Sequence, residues 1–167
     1  MPRTGREIVG GQCYHVINRG NGRNLVFHES GDYQEFVDLM IETISSFDVN
    51  LYSYCLMPNH FHLILKPRKS EHLSPWLRLF MTKQVRNYHK RNKTCGHLWQ
   101  GRYKLFPIQS GSYFDVAMRY VERNALRSNL VNRAEDWKWS SLAARIGGMT
   151  EGLSKPPITQ GETGCLG

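Results

Sequence analysis

The chain has 167 residues, a net charge of +8, 40% hydrophobic and 22% charged residues, which fits one globular domain with a core of its own and excludes a disordered chain. No stretch approaches the ~20 apolar residues of a membrane span, and the opening M-P-R-T-G-R-E has no apolar run to act as a signal peptide. The four cysteines, Cys13, Cys55, Cys95 and Cys165, have no C-x-x-C spacing, so a cytoplasmic chain with reduced thiols is expected.

In chain order, Gln12 to Asn18 is rich in β-branched and aromatic residues and predicts a strand, followed by the loop R-G-N-G-R. Asp32 and Glu35 have the spacing of a capping box, and Phe36, Leu39, Met40, Thr43 and Phe47 follow with helical periodicity. Val49 to Met57 and His60 to Lys66 predict two strands joined at Pro58-Asn59 as a hairpin. Ser74-Pro75 is read as the start of a second helix. It carries Leu77, Phe80, Gln84 and Tyr88 on one face and Lys83, Arg86 and Lys90 on another. Tyr103 to Gln109 predicts a fourth strand, with Pro107 marking a free edge or a bulge. Ser112 and Asp115 suggest a second capping box opening a helix through Tyr120 to about Leu126. A short helix is expected near Ser141 to Ile146. The domain is taken as residues 1–146, and the glycine- and proline-rich residues 147–167 as a tail.

The order β-α-β-β-α-β-α predicts an α+β fold, a ferredoxin-like split β-α-β with a four-stranded antiparallel sheet and an added C-terminal helix. Helices are expected on one face of the sheet, with the other free for substrate.

Charge is segregated along the chain. Lys66 to Lys104 holds eleven basic residues and one acid, Glu71, whereas Asn24 to Leu65 holds six acids and no Lys or Arg. A polyanion partner explains the division, because each neutralised phosphate releases counterions. Lys83, Arg86, Lys90 and Arg91 are candidates to grip a duplex backbone. Arg19, Asn21 and Arg23 are candidates for a flanking single strand, and Arg102 and Lys104 for further phosphate contacts. Trp99, Tyr103 and Tyr113 are candidates to stack on bases, with core packing as the alternative.

His60 and His62 lie at i and i+2 on a predicted strand, so both imidazoles share a face and Phe61 takes the opposite one. Side by side they can chelate a cation, although a bare H-x-H is more often two polar residues on a hairpin. Tyr120 and Asn124 lie at i and i+4 on a predicted helix, bringing a phenol and an amide oxygen to one face. Taken together, the four suggest phosphodiester chemistry. An ordinary phenol is about one part in a thousand ionised at pH 7, a handicap of about 4 kcal/mol. A divalent ion that polarises the scissile phosphate offsets several kcal/mol of this.

M-P-N-H-F-H-L-I-L (Met57 to Leu65) closely resembles the His-hydrophobe-His strand of the single-tyrosine transposases. R-Y-V-E-R-N-A-L-R-S-N-L-V (Arg119 to Val131) resembles their tyrosine helix, Y-H-V-I-N-R-G-N-G-R-N-L-V-F (Tyr14 to Phe27) their first strand, and W-K-W-S-S (Trp137 to Ser141) their closing motif. The branch it most resembles is the REP-associated tyrosine transposases. The resemblance implies Mg²⁺ or Mn²⁺ held by His60, His62 and Asn124, with Tyr120 as nucleophile. It implies single-stranded DNA beside a palindromic hairpin as substrate and a 5′-phosphotyrosine intermediate. A nucleoid-associated protein, monomeric or homodimeric, follows. Ala125, Glu122 and Ser128-Asn129 depart from the family pattern, and Glu122 is expected either to aid the metal or to face solvent. Two other functions remain open: a non-catalytic, domesticated hairpin binder, and a metal nuclease that uses water.

Overall fold

A computed structural model describes residues 7–157; Cys165 and the end of the segment read as a tail lie outside them. The four strands are β1 (Cys13–Arg19), β2 (Val49–Met57), β3 (His60–Pro67) and β4 (Lys104–Ile108). They form one antiparallel sheet in the order β2-β3-β1-β4, the ferredoxin-like arrangement. β4 is an edge strand, which accommodates Pro107.

Two long helices, α1 (Ser30–Ile44) and α2 (Ser70–Asn92), cover one face. There Phe36, Met40, Phe61, Leu63, Leu65, Trp76 and Phe80 build the main core. Each such side chain contributes about 1.5–3 kcal/mol on burial. The capping box of α1 sits three residues earlier than expected: Glu29 is the N-cap and Asp32 the reciprocal residue. Asp32 is also the acid that accepts the free N–H groups of His28 and Glu29. α2 likewise begins a turn before Ser74, leaving Pro75 inside it. Pro75 has no N–H to offer the Glu71 carbonyl, but extension of the helix past it buries Leu73 completely.

The opposite face is not free. α3 (Ser112–Glu122) and α4 (Asn124–Arg127) lie against it, with Phe114, Met118, Val121 and Ala125 packed on Tyr52, Cys55, Met57, Ile64 and Ile108. The sign of this is the near-continuous burial of β2, where a half-solvated strand would alternate. The predicted single helix through Leu126 is broken at Arg123, whose φ/ψ is −98°/7°. Its N-cap is Gly111 at φ 78°, with no side-chain cap from Ser112. α5 (Ser141–Ile146), capped by Ser140, is the last helix among the described residues. Beyond it, Leu153 packs on the core and the Ser154 N–H donates to the Leu51 carbonyl at 2.8 Å. Among the described residues no helix is long and apolar enough to cross a membrane.

Candidate active site

The β1–β3 register sets Ile17 opposite His62 and His15 opposite Ile64. Every second residue of a strand shares a face and paired residues face the same way, so His15 and Arg19 of β1 stand on the same side as His60 and His62 of β3. Phe106 and Lys104 of β4, opposite His15 and Ile17, join them. Phe61 points the other way into the main core, as its alternation requires.

α3 supplies the remaining groups. Its buried stripe Phe114, Met118 and Val121 turns Tyr120 outward, so the phenol ring is 47% exposed at the rim of the site. The Tyr120 ring meets His62 and His15 edge-on at 5.9 and 6.0 Å between centroids. The helix break does not part Asn124 from Tyr120, because the Arg123 N–H still reaches the Arg119 carbonyl and the Arg127 N–H reaches Arg123. Asn124 is buried, and its amide N–H donates to His62 Nε2 at 2.8 Å. Four predicted site residues, His60, His62, Tyr120 and Asn124, are thus brought together.

Two residues in the cluster carry no spacing signal. His15 places its Nε2 2.9 Å from His62 Nδ1. Arg127 lays its guanidinium over the Tyr120 ring at 3.9 Å and donates to the Tyr120 carbonyl at 2.6 Å, a cation–π clamp on the ring. Glu122 does neither of the things expected of it: Oε1 accepts from Ser141 Oγ at 2.9 Å and pairs with Arg145 at 2.7 Å, away from the histidines.

Burial dominates the site's electrostatics. It pushes His15 and His60 down to about 4, with the Arg19 cation adding to the shift of His60 and a hydrogen-bond interaction with Asn124 opposing it. His62 is lowered further, to about 2, by burial and then by the neighbouring His15, His60, Arg127 and Arg19. All three imidazoles are neutral at pH 7, the form that ligates metals. No group of three or more His, Cys, Asp or Glu among the described residues is arranged to hold a metal ion. The groups that could hold one here are of a different kind, the imidazoles of His60 and His62 with the amide of Asn124, and His15 Nε2 is already engaged by His62.

The predicted DNA contacts divide. Arg19, Arg102 and Lys104 line a cavity of about 440 Å³ with Asn18 and Phe106, next to the histidines. A second cavity shares Asn18, Gly101 and Arg102 with it and adds Arg78 of α2. Lys83, Arg86 and Lys90 continue along α2, on the sheet face opposite the histidines, with Arg86 and Lys90 exposed and Lys83 half-buried. Asn21 and Arg23 are exposed in the turn after β1. Arg91 is not available: its guanidinium pairs with the buried Asp32 at 2.9 Å and also with Glu35. Trp99 is buried, with its N–H on Gln84 Oε1 at 2.9 Å, and Tyr103 packs on the main core. Only Tyr113 of the three proposed stacking rings is well exposed.

Residues 9–124 match the family model described as IS200-like transposase. The chain belongs to that family. Among solved structures, this transposase is similar to the REP-associated tyrosine transposase bound to a REP hairpin. The TM-score is 0.71 at 18% identity, over 97% of this chain and 96% of that one. A crystal structure from Deinococcus radiodurans R1, of a protein assigned as a transposase, aligns over 72% of this chain and 96% of its own, at 19% identity and a TM-score of 0.49. No curated protein sequence matches the transposase.

Proposed function

We propose that this transposase is a divalent-metal-dependent endonuclease and strand transferase acting on single-stranded DNA beside a hairpin. Tyr120 is its nucleophile, and His60, His62 and Asn124 are its metal-holding residues. The observation that carries this reading is the meeting of an exposed phenol with neutral imidazoles and a buried amide on one sheet face. These groups come from separate strands and a helix, and a hairpin-binding surface alone has no use for such a set. The relative of the same fold that holds a REP hairpin supports the choice of DNA.

Two imidazoles and an amide oxygen fit a borderline divalent ion, and favour Mn²⁺ over Mg²⁺, which demands mostly oxygen donors. Such an ion, when bound, supplies Lewis acidity at the scissile phosphate. The residues of the chain do the rest. Arg127 holds the Tyr120 ring between its guanidinium and the histidines. The phenol oxygen forms a bond to phosphorus as the P–O3′ bond breaks; the phenol proton is released and the 3′ oxygen takes one up. The phosphotyrosine conserves the bond for rejoining to another 3′-hydroxyl. Arg19, Arg102 and Lys104 hold the strand's phosphates, and Phe106 offers a ring to a base.

The test incubates the protein with labelled hairpin-containing single-stranded DNA and Mn²⁺ and looks for a denaturation-resistant adduct. Tyr120→Phe should abolish both the adduct and the cleavage. Cleavage that survives in that variant would favour attack by water, and tight binding without cleavage by the unaltered protein would favour a pure binder.

A further inference from the structure

The two histidines of the H-F-H strand are each held from behind by a second residue. The Asn59 side-chain N–H donates to the Arg23 carbonyl at 3.3 Å, which fixes its amide oxygen toward His60 Nδ1, 2.8 Å away. A carboxamide oxygen accepts only, so His60 carries its proton on Nδ1 and its lone pair on Nε2. His62 repeats the pattern with a different partner. Its Nε2 receives the Asn124 amide N–H at 2.8 Å, so that nitrogen is the lone-pair side. The proton then lies on Nδ1, 2.9 Å from His15 Nε2. The two rings are near parallel, 5.1 Å between centroids and 27° between planes, a disposition compatible with an in-plane N–H···N contact.

We propose that His15 is the positioning residue of the metal site: its Nε2 accepts the Nδ1–H of His62 and holds that ring in the tautomer whose Nε2 faces Asn124. Asn59 is its counterpart behind His60. The inference rests on the proposed metal-holding role of His60, His62 and Asn124. It also assigns Asn124 a double use. In the metal-free protein the amide N–H group occupies the lone pair on His62 Nε2, and a half-turn of the amide presents its oxygen to a cation instead. A second group that fixes a ligand histidine's tautomer is typically worth 10–100-fold in metal affinity.

Glutamine and asparagine distinguish this role from simple packing. The terminal amide of Gln falls where His15 Nε2 lies, whereas the shorter Asn reaches only to the Nδ1 position. His15→Gln should keep Mn²⁺ affinity within several-fold of the unaltered protein, while His15→Asn and His15→Ala lose 10–100-fold, as read by calorimetric titration. Nitrogen-15 NMR of the metal-free protein at pH 7.5 provides a readout that needs no metal. His62 should be protonated on Nδ1 in the unaltered protein and in His15→Gln, and a mixture of tautomers in His15→Ala. Unchanged Mn²⁺ affinity in His15→Ala, or a His62 protonated on Nε2 in the unaltered protein, would overturn the proposal. Failure of the unaltered protein to bind Mn²⁺ would sink the metal reading, and the NMR spectrum would still decide the tautomer. Equal melting temperatures among the three variants would separate loss of positioning from loss of fold.

Discussion

His15, His60 and His62 are kept neutral chiefly by burial, with Arg19 pressing in the same direction on His60, and neighbouring imidazoles and cations on His62. An unfolded chain protonates these rings near pH 6.5, whereas the folded one resists to about pH 4 or lower. Above pH 6.5 both states are neutral and the histidines contribute no pH dependence. As pH falls from 6.5 toward 4 the unfolded state binds more protons, so the stability present above 6.5 is progressively lost. The slope is about 1.4 kcal/mol per pH unit for each ring protonated only in the unfolded chain. Urea unfolding in EDTA at pH 7.5 and 5.0 should therefore show a clear fall in the midpoint, smaller in His60→Gln. An equal fall in that variant would mean that His60 titrates normally in the folded protein. Saturating Mn²⁺ should raise the midpoint at both pH values and leave its pH dependence unchanged, because His60 and His62 of the folded protein are already unprotonated across this range.

The tyrosine helix is an element whose placement depends on groups outside it. Glu122, two residues after Tyr120, ties the end of α3 to α5 through Ser141 and Arg145, and Arg145 in turn donates to the Tyr52 carbonyl of β2. Glu122→Ala strands these partners at a cost on the order of 1–3 kcal/mol. It should lower the melting temperature and slow single-turnover cleavage, with DNA affinity little changed, because a small displacement of a nucleophile is expensive in rate. Glu122→Gln retains an acceptor and should recover most of both; a Glu122→Ala enzyme of full rate would show that the pin is dispensable. Much of this element-level structure was legible in the sequence. The β2–β3 hairpin, the sheet arrangement, the edge strand at Pro107 and the shared face of His60 and His62 follow from alternation and turn chemistry. The misplaced features are those that tertiary contacts decide. Burial of Leu73 carries α2 past Pro75, and the apolar β2 surface draws α3 onto a face that alternation had left open. His15 carries no sequence signal for a related reason: spacing reports neighbours along one strand, and His15 meets His62 only across the β1–β3 register.

At the scale of the whole molecule the charge division of the sequence becomes a division of surfaces. The acidic α1 turns Asp32 and Glu35 to Arg91, while Arg78, Arg102, Lys104 and Arg19 line two cavities that share Asn18, Gly101 and Arg102. These cavities run from α2 past the edge strand β4 toward the histidines, the path that the proposed function would give a single strand between a hairpin and Tyr120. A complex with six or more phosphate contacts loses about 10³-fold in affinity between 50 and 200 mM salt. Removal of one phosphate contact reduces the slope of log affinity against log salt by about 1 and weakens binding for every sequence alike. Arg102→Ala and Lys104→Ala should each behave in this way, with stability unchanged because both side chains are exposed. Arg91→Ala should do the opposite. It lies in the most basic stretch of the chain, yet its loss leaves the carboxylate of Asp32, only 4% exposed, without its cation. Stability should drop by about 1–3 kcal/mol while the salt slope of hairpin binding stays the same. A reduced slope in Arg91→Ala, or an unaltered one in Arg102→Ala, would show that the DNA follows a different route across the protein.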